Sequence, residues 1–271
     1  MLYTINSESS MKKSYLLTFL FVFISLNVFA QDADQLNEKS KTLLDQGNYN
    51  QSFKTLSQAA ELGHPEAQYN LGYSYLEGLG TSKNVEAANQ WFLKSAKQDF
   101  VDAQFKLAYS YVLGRGVQKD MEKAFTWFSK AAQNGDAESQ LLLVGMYIEG
   151  NGVEKNIPKA LQLAKELAKR KTPVNLLVSG QITSARYNLA QIYLKGMHGV
   201  SPDTLESYKW HLITNESKID FSVLVQQDIV NSIKMIEEKY SDQKIQSLID
   251  ETENMFGRKL SNIKNRHETE Y

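Results

Sequence analysis

The chain has 271 residues, enough for one or two domains with a sizeable hydrophobic core. Hydrophobic residues make up 42% of it and charged residues 23%, which excludes a wholly disordered chain. Its 30 basic and 31 acidic residues give a net charge of −1, and it has no cysteine. This excludes the strong positive field typical of nucleic-acid binding, and it excludes disulfides, thiolate metal sites and a cysteine nucleophile.

The first predicted element is an export signal. Lys12 and Lys13 precede an apolar stretch that runs from Leu16 to Leu26. The small side chains of Val28 and Ala30 suit the specificity of a signal peptidase at the positions before its cleavage site. We therefore expect residues 1–30 to be removed and the mature protein to be periplasmic or secreted.

An uncleaved membrane anchor is the alternative. A helix that spans a bilayer needs about 20 apolar residues, whereas the stretch from Leu16 to Leu26 has 11. The first ten residues are polar, so we expect the true start at Met11 and cleavage before Gln31.

Beyond this signal, equivalent residues recur every 36 positions. A fourth copy begins at Ala185, after an insertion of ten residues. Such a period indicates a repeat architecture in which each unit buries its apolar face against the next. The recurring sets are Ala67, Ala103 and Ser139; Leu71, Leu107 and Leu143; Tyr75, Tyr111 and Tyr147; and the glycine pairs 78/80, 114/116 and 150/152.

Each copy contains two helical patterns. In the first, Leu71 and Tyr75 share one face of a helix A that we expect to end at Gly78, where glycine adopts the left-handed conformation easily. Asn84 has the short polar side chain that favours an N-cap, so we expect it to start a helix B. Helix B carries the tryptophan of each copy, and we expect Trp91, Trp127 and Trp210 to be core residues.

The segments AQYNLGYSYLEGLG and AQFKLAYSYVLGRGVQKDMEKAFTWFSKAAQNGDA resemble Sel-like repeats, a branch of the tetratricopeptide-repeat superfamily. The resemblance implies an all-α, right-handed α-solenoid of helix hairpins, closed by a C-terminal helical cap. We expect a signal peptide over 1–30, a tetratricopeptide-like N-terminal hairpin over 31–66, Sel-like repeats over 67–102, 103–138, 139–184 and 185–219, and the cap over 220–271.

The third copy departs from the pattern. It has Leu163 and Ala164 where the other copies carry tryptophan and an aromatic residue, which predicts looser packing. Its insertion lies around 169–184 and contains the apolar cluster Val174 to Val178. We expect an elongated loop there; its leucines either close the solenoid or form a contact patch.

No pattern typical of an active site is present. The four histidines lie far apart, and no phosphate-binding glycine loop follows a strand. Two S-x-x-K sequences, Ser241 to Lys244 and Ser261 to Lys264, lack the companion motifs of β-lactamases. We expect no catalysis, no cofactor and no metal.

The remaining candidate is a binding surface. Solenoids bind through the concave side formed by their A helices, and aromatic residues there suit partner binding. Packing between repeats is the alternative role for the same side chains. The candidate residues, two positions before or after the leucine of each repeat, are Tyr69, Tyr73, Phe105, Tyr109, Tyr187 and Gln191.

The resemblance implies a protein–protein interaction scaffold or adaptor. Its partner would be another protein or peptide, with no nucleic acid and with the membrane involved only through the export signal. Two alternatives stay open: a periplasmic cell-wall or β-lactam hydrolase or binding protein, and a structural subunit that associates with itself.

Overall fold

A computed structural model describes residues 31–171, 176–216 and 223–267. These residues form twelve α-helices and one 3-10 turn, and no strand occurs among them. The predicted export signal lies outside them. The helices are α1 (31–45), α2 (Tyr49–Glu61), α3 (Pro65–Glu77), α4 (Val85–Ala96), α5 (Val101–Leu113), α6 (Met121–Gln133), α7 (Ala137–Glu149), α8 (Ile157–Ala168), α9 (Leu176–Lys195), α10 (Thr204–Asn215), α11 (Val223–Glu237) and α12 (Asp242–Phe256), with the 3-10 turn at Met197–Gly199.

The chain divides into two compact units at Asp120. The first unit contains α1 to α5, and α2, α3, α4 and α5 pack consecutively. The second contains α6 to α12, and here too each helix from α6 to α10 packs on the next, while α12 packs on α10. Consecutive packing of helix pairs confirms the predicted all-α repeat fold.

Local signals place the ends of the helices as predicted. Gly78 follows α3 in the left-handed conformation with φ 77°, and its amide donates to the carbonyl of Ser74 at 2.8 Å. The side chain of Asn84 then accepts from the amide of Ala87 at 2.9 Å and starts α4. The same arrangement recurs at Gly150 with Asn156, and at Gly196 with Asp203.

The second glycine of the first three loops lies against the preceding B helix. A Cβ atom on Gly80 would lie 2.2 Å from the carbonyl oxygen of Tyr49, the first residue of α2. A Cβ atom on Gly152 would lie 2.1 Å from the carbonyl oxygen of Met121, the first residue of α6. No side chain fits at these two contacts, so glycine is required by space as well as by its positive φ.

The three equivalent tryptophans differ in burial. Trp210 is fully buried beside Phe256 of α12, with the ring centroids 5.9 Å apart. Trp91 and Trp127 are only half-buried, and the ammonium of a lysine lies over each indole, at 3.6 and 4.6 Å from the ring centroid. The expectation of three core tryptophans therefore holds in full for Trp210 only: Trp91 packs against a buried cluster but leaves part of its indole exposed, and Trp127 is also only partly buried.

In the third repeat, a larger residue on the A helix compensates for the aromatic residue that is missing from the B helix. Gly72 faces Phe92 in the first repeat, whereas Val144 stands at the position of Gly72 in the third repeat and Ala164 at that of Phe92. An apolar cavity of about 10 Å³ remains beside Val144 and Ala164. The predicted looser packing thus amounts to space for about one water molecule.

The insertion is not an elongated loop throughout. From Leu176 onward it is helical and lengthens α9 to 20 residues, against 13 in α3, α5 and α7. Residues 172–175, which include Val174, lie outside the described part of the chain, as do the side chains of 176–179. A helix continues here because no proline or glycine interrupts 176–179.

The C-terminal helices form the predicted cap over α10. Ile229, Ile233 and Ile236 of α11 are fully buried. The hydroxyl of Ser241 accepts from the backbone amide of Lys244 and starts α12, so this S-x-x-K serine has a structural role. No helix in the described part of the chain has the length and apolar character required to cross a membrane.

Candidate functional site

Two tyrosines are the exposed centre of the candidate site in the first unit. Tyr73 on α3 is 40% exposed and Tyr109 on α5 is 39% exposed. Both residues lie two positions after the leucine of their repeat, on the A helix. Large side chains at equivalent positions on two A helices are the arrangement predicted from the repeat.

Tyr69, one helical turn before Tyr73, is more buried and packs inside the fold. The ring of Tyr69 packs between Phe92 and Phe100, with centroids at 5.7 and 5.3 Å. Burial, reinforced by the carboxylate of Asp102, raises the pKa of Tyr69 to about 12, so its hydroxyl stays protonated. Tyr69 therefore packs inside its own repeat, against Phe92 of α4 and against Phe100 just before α5.

Phe105 on α5 is neither fully buried nor fully exposed. It is half-buried, and its ring lies 5.3 Å from that of Tyr109, one turn further along the same helix. An (i, i+4) aromatic pair restricts the rotamers of both rings. Phe105 thus helps to hold Tyr109 in a fixed orientation.

One further residue of this surface was missed. Leu113 lies one turn beyond Tyr109 on α5 and is 49% exposed. The equivalent residues of the other repeats are Glu77, Glu149 and Lys195, so an apolar side chain at Leu113 breaks a charged pattern. That departure was visible in the sequence. We call Tyr69, Tyr73, Phe105, Tyr109 and Leu113 the aromatic face.

The other two candidate residues belong to the second unit. Tyr187 is half-buried, and burial raises the pKa of its hydroxyl. The side-chain amide of Gln191 lies 3.4 Å from Nε2 of His211, an imidazole with no exposed surface. Gln191 therefore contacts a buried group of the B helix α10.

His211 is held neutral. Burial lowers its pKa to about 4, and Nδ1 lies 3.0 Å from the carbonyl oxygen of Ser207. A neutral ring that donates from Nδ1 to this carbonyl leaves Nε2 as the acceptor for the amide of Gln191. Both ring nitrogens of His211 therefore have hydrogen-bond partners inside the repeat.

The other polar groups considered for chemistry have structural contacts. His64 accepts from the amide of Ala67 through Nδ1 and starts α3. Ser261, in the second S-x-x-K sequence, donates to the carboxylate of Glu216 at 3.0 Å. Within the described ranges, no group of three or more His, Asp or Glu side chains is placed to hold a metal ion.

Comparison with known proteins agrees with this geometry. Helix hairpins packed in series, with an exposed A-helix surface, define a helical-repeat protein of the kind that mediates protein–protein interactions. The Sel1 repeat family matches residues 42–64, 65–100, 101–136, 138–171 and 183–213, more than half of the chain. The chain belongs to the Sel1 repeat family.

One solved structure supports the fold directly. The Sel1 repeat protein from Oxalobacter formigenes is 27% identical, with a TM-score of 0.61 over 80% of this chain and 84% of that one. The family's repeats begin two residues before those inferred from the sequence in the first two copies, and they include a match over 42–64. The resemblance to Sel-like repeats is thus confirmed.

Two curated relatives share only short segments. A putative sel1-like repeat-containing protein, L18, from Acanthamoeba polyphaga mimivirus is 49% identical over 41 residues, 15% of this chain. The chitin synthase regulator SKT5 from Saccharomyces cerevisiae is 43% identical over 47 residues, 17% of this chain. The matched segments span 7% of the length of each relative, so they indicate the repeat only.

Proposed function

We propose that this chain is an exported scaffold or adaptor that binds another protein or peptide through the aromatic face of its first unit, and that it has no catalytic activity. The exposure of Tyr73 and Tyr109 at equivalent positions of two A helices is the observation that carries this proposal. Sel1 repeats are a protein-interaction fold, which supports the assignment of a binding role.

The chemistry of this face suits a protein partner. A tyrosine ring contributes a large apolar area with few rotatable bonds, and its hydroxyl supplies a hydrogen bond at the rim. Leu113 extends the apolar area along α5, and the ring of Phe105 packs against that of Tyr109. An exposed pair of tyrosines with adjoining apolar side chains has the composition of an interface hot spot.

Export is part of the proposal and rests on the sequence of residues 11–30. Two lysines, an apolar stretch and small residues before Gln31 form a complete secretory signal. N-terminal sequencing of the protein from envelope or secreted fractions should give Gln31 as the first residue. Recovery of the intact segment in the membrane fraction would instead mean an anchor.

Binding is tested by crosslinking in the native envelope followed by affinity capture and mass spectrometry. A double variant, Tyr73→Ala with Tyr109→Ala, should keep its helical content and bind the captured partner more than about a hundredfold more weakly, since hot-spot aromatics contribute about 2 kcal/mol or more each. Tyr49→Ala is the matched control, because Tyr49 is 47% exposed on the B helix α2. Equal capture by a folded double variant would contradict the proposal.

A further inference from the structure

The first repeat has a groove that its own tryptophan fills. Trp91 of α4 packs against a cluster of buried side chains on α2 and α3, among them Ala60 and Leu71. Gln68, on the same face of α3, has both ends of its amide satisfied. Its nitrogen donates to the carbonyl of Ala60 at 3.1 Å, and its oxygen accepts from Gln98 at 2.8 Å.

The equivalent groove of the third repeat is open. It lies between α6, α7 and α8 in the second unit and has a volume of about 320 Å³. Ala132 and Leu143, which correspond to Ala60 and Leu71, line it, and Leu163 stands in the place of Trp91. The shorter leucine leaves unfilled the space that an indole fills in the first repeat.

The same groove contains a buried acceptor without a donor. Gln140, the equivalent of Gln68, is only 5% exposed and lines the groove. Its nitrogen donates to the carbonyl of Leu163 at 3.0 Å, but its buried oxygen has no hydrogen-bond partner. An unsatisfied buried carbonyl oxygen is unfavourable, and a ligand that brings a donor would relieve it.

A substitution explains why this oxygen lacks a partner. Gln98 of the first repeat donates both to Gln68 and to the carbonyl of Gly63. Arg170 stands at the position of Gln98 in the third repeat and keeps the second bond only, to the carbonyl of Gly135 at 3.0 Å. The loss of an indole and the loss of an amide donor therefore occur together in one groove.

We propose that this groove binds the tryptophan side chain of a partner protein or peptide. The indole supplies the missing apolar group, and its Nε1–H is a donor without acceptor capacity, which suits the unsatisfied oxygen of Gln140 once this buried amide turns towards the groove. Lys159, Glu166 and Arg170 line the same groove and provide both signs of charge for the backbone that carries the tryptophan. This site is separate from the aromatic face and goes beyond the function proposed above.

The test uses the full chain and two small probes, indole and 1-methylindole, titrated by calorimetry. The N-methyl group removes the donor, so indole should bind about fivefold more tightly than 1-methylindole. Gln140→Met keeps the size of the side chain but removes the acceptor, so it should abolish this preference. Leu163→Trp should fill the groove from within and abolish binding of both probes.

Leu44→Trp is the matched control, because it places a new tryptophan on an exposed position of α1 and should leave both affinities unchanged. Equal affinity of the unmodified protein for the two probes would overturn the proposal, whether or not the variants fold. Retained binding by a folded Leu163→Trp variant would overturn it as well. The double variant of Tyr73 and Tyr109 should bind indole as tightly as the unmodified protein does. Failure of the groove proposal would therefore leave the aromatic-face proposal standing, and the reverse also holds.

Discussion

Arg186 donates from Nε to the carbonyl oxygen of Ala168, at 2.8 Å, across the connection that carries the ten-residue insertion. A second nitrogen of the same guanidinium donates to the carbonyl of Arg170 at 2.8 Å. In the first repeat the equivalent bond comes from Gln68 and goes to Ala60. A longer side chain with more donors thus ties the lengthened α9 to the end of α8.

Replacement of this buried arginine should destabilise the second unit. Arg186→Met leaves the carbonyls of Ala168 and Arg170 without these donors, at a cost of about 1–3 kcal/mol. Urea denaturation followed by circular dichroism measures the change in the free energy of unfolding. Gln104→Met removes the equivalent amide, which donates to the carbonyl of Ala96 and to the carboxylate of Asp99, and should cost less because the donor is a neutral amide and not a buried guanidinium. Equal costs would contradict a special role for the guanidinium.

Two helical glycines should respond in opposite directions to alanine. A Cβ atom on Gly72 would lie 2.7 Å from the ring of Phe92, so Gly72→Ala should destabilise the protein by about 1–3 kcal/mol. Gly145 has nothing within 4 Å, so Gly145→Ala should stabilise α7 by about 0.5–1 kcal/mol. Thermal or urea denaturation of both variants measures the difference. Stabilisation by both substitutions would show that Phe92 moves aside at no cost.

The two tryptophans of the second unit should differ in their contribution to stability. Trp210→Ala removes a fully buried side chain and the bond from its Nε1 to Glu206, and should cost about 3–5 kcal/mol. Trp127→Ala should cost clearly less, because Trp127 is only half-buried. The measurement is the denaturation midpoint of each variant. A larger effect at Trp127 would show that its lysine-covered face is buried in solution.

Stability should fall on mild acidification because of His211. Its pKa is about 4 in the folded protein, against about 6.5 in the unfolded chain, so between these values the unfolded state binds more protons. The free energy of unfolding should therefore decrease by up to about 3 kcal/mol as the pH falls from 6.5 towards 4. Denaturation curves across this range measure it.

His211→Phe provides the control for that pH dependence. Phe92 and Phe128 occupy the equivalent positions of the first two repeats, so the substitution restores the usual residue type. Its unfolding free energy should vary less with pH than that of the unmodified protein between pH 6.5 and 4. Parallel pH profiles would assign the dependence to other groups.

Helix ends could be predicted from the sequence because they depend on local chemistry. Gly78 and Asn84 act through their own backbone and the next few residues, which any repeat contains. Burial of the tryptophans could not be predicted in the same way. Trp210 is buried because Phe256 lies over it, and Phe256 comes from a helix with no repeat signature.

The candidate site was predictable in part for a similar reason. The equivalent positions of Tyr73 and Tyr109 located an exposed pair, but only the packed structure separates them from Tyr69, which lies between Phe92 and Phe100. The open groove beside Gln140 depends on two substitutions, at Leu163 and Arg170, and on their position beside Gln140 of another helix, which only the packed structure shows.

The loop glycines also predict how unfolding should spread along the chain. Gly152 brings the third repeat into backbone contact with Met121 of the second. The loop of Gly199 has one extra residue, and a Cβ atom on Gly199 would have no neighbour within 4 Å. In repeat proteins, cooperativity depends on the free energy of each interface between neighbours. The interface before the fourth repeat lacks this contact, so hydrogen exchange should show residues from α9 onward opening as a separate unit from α6 to α8.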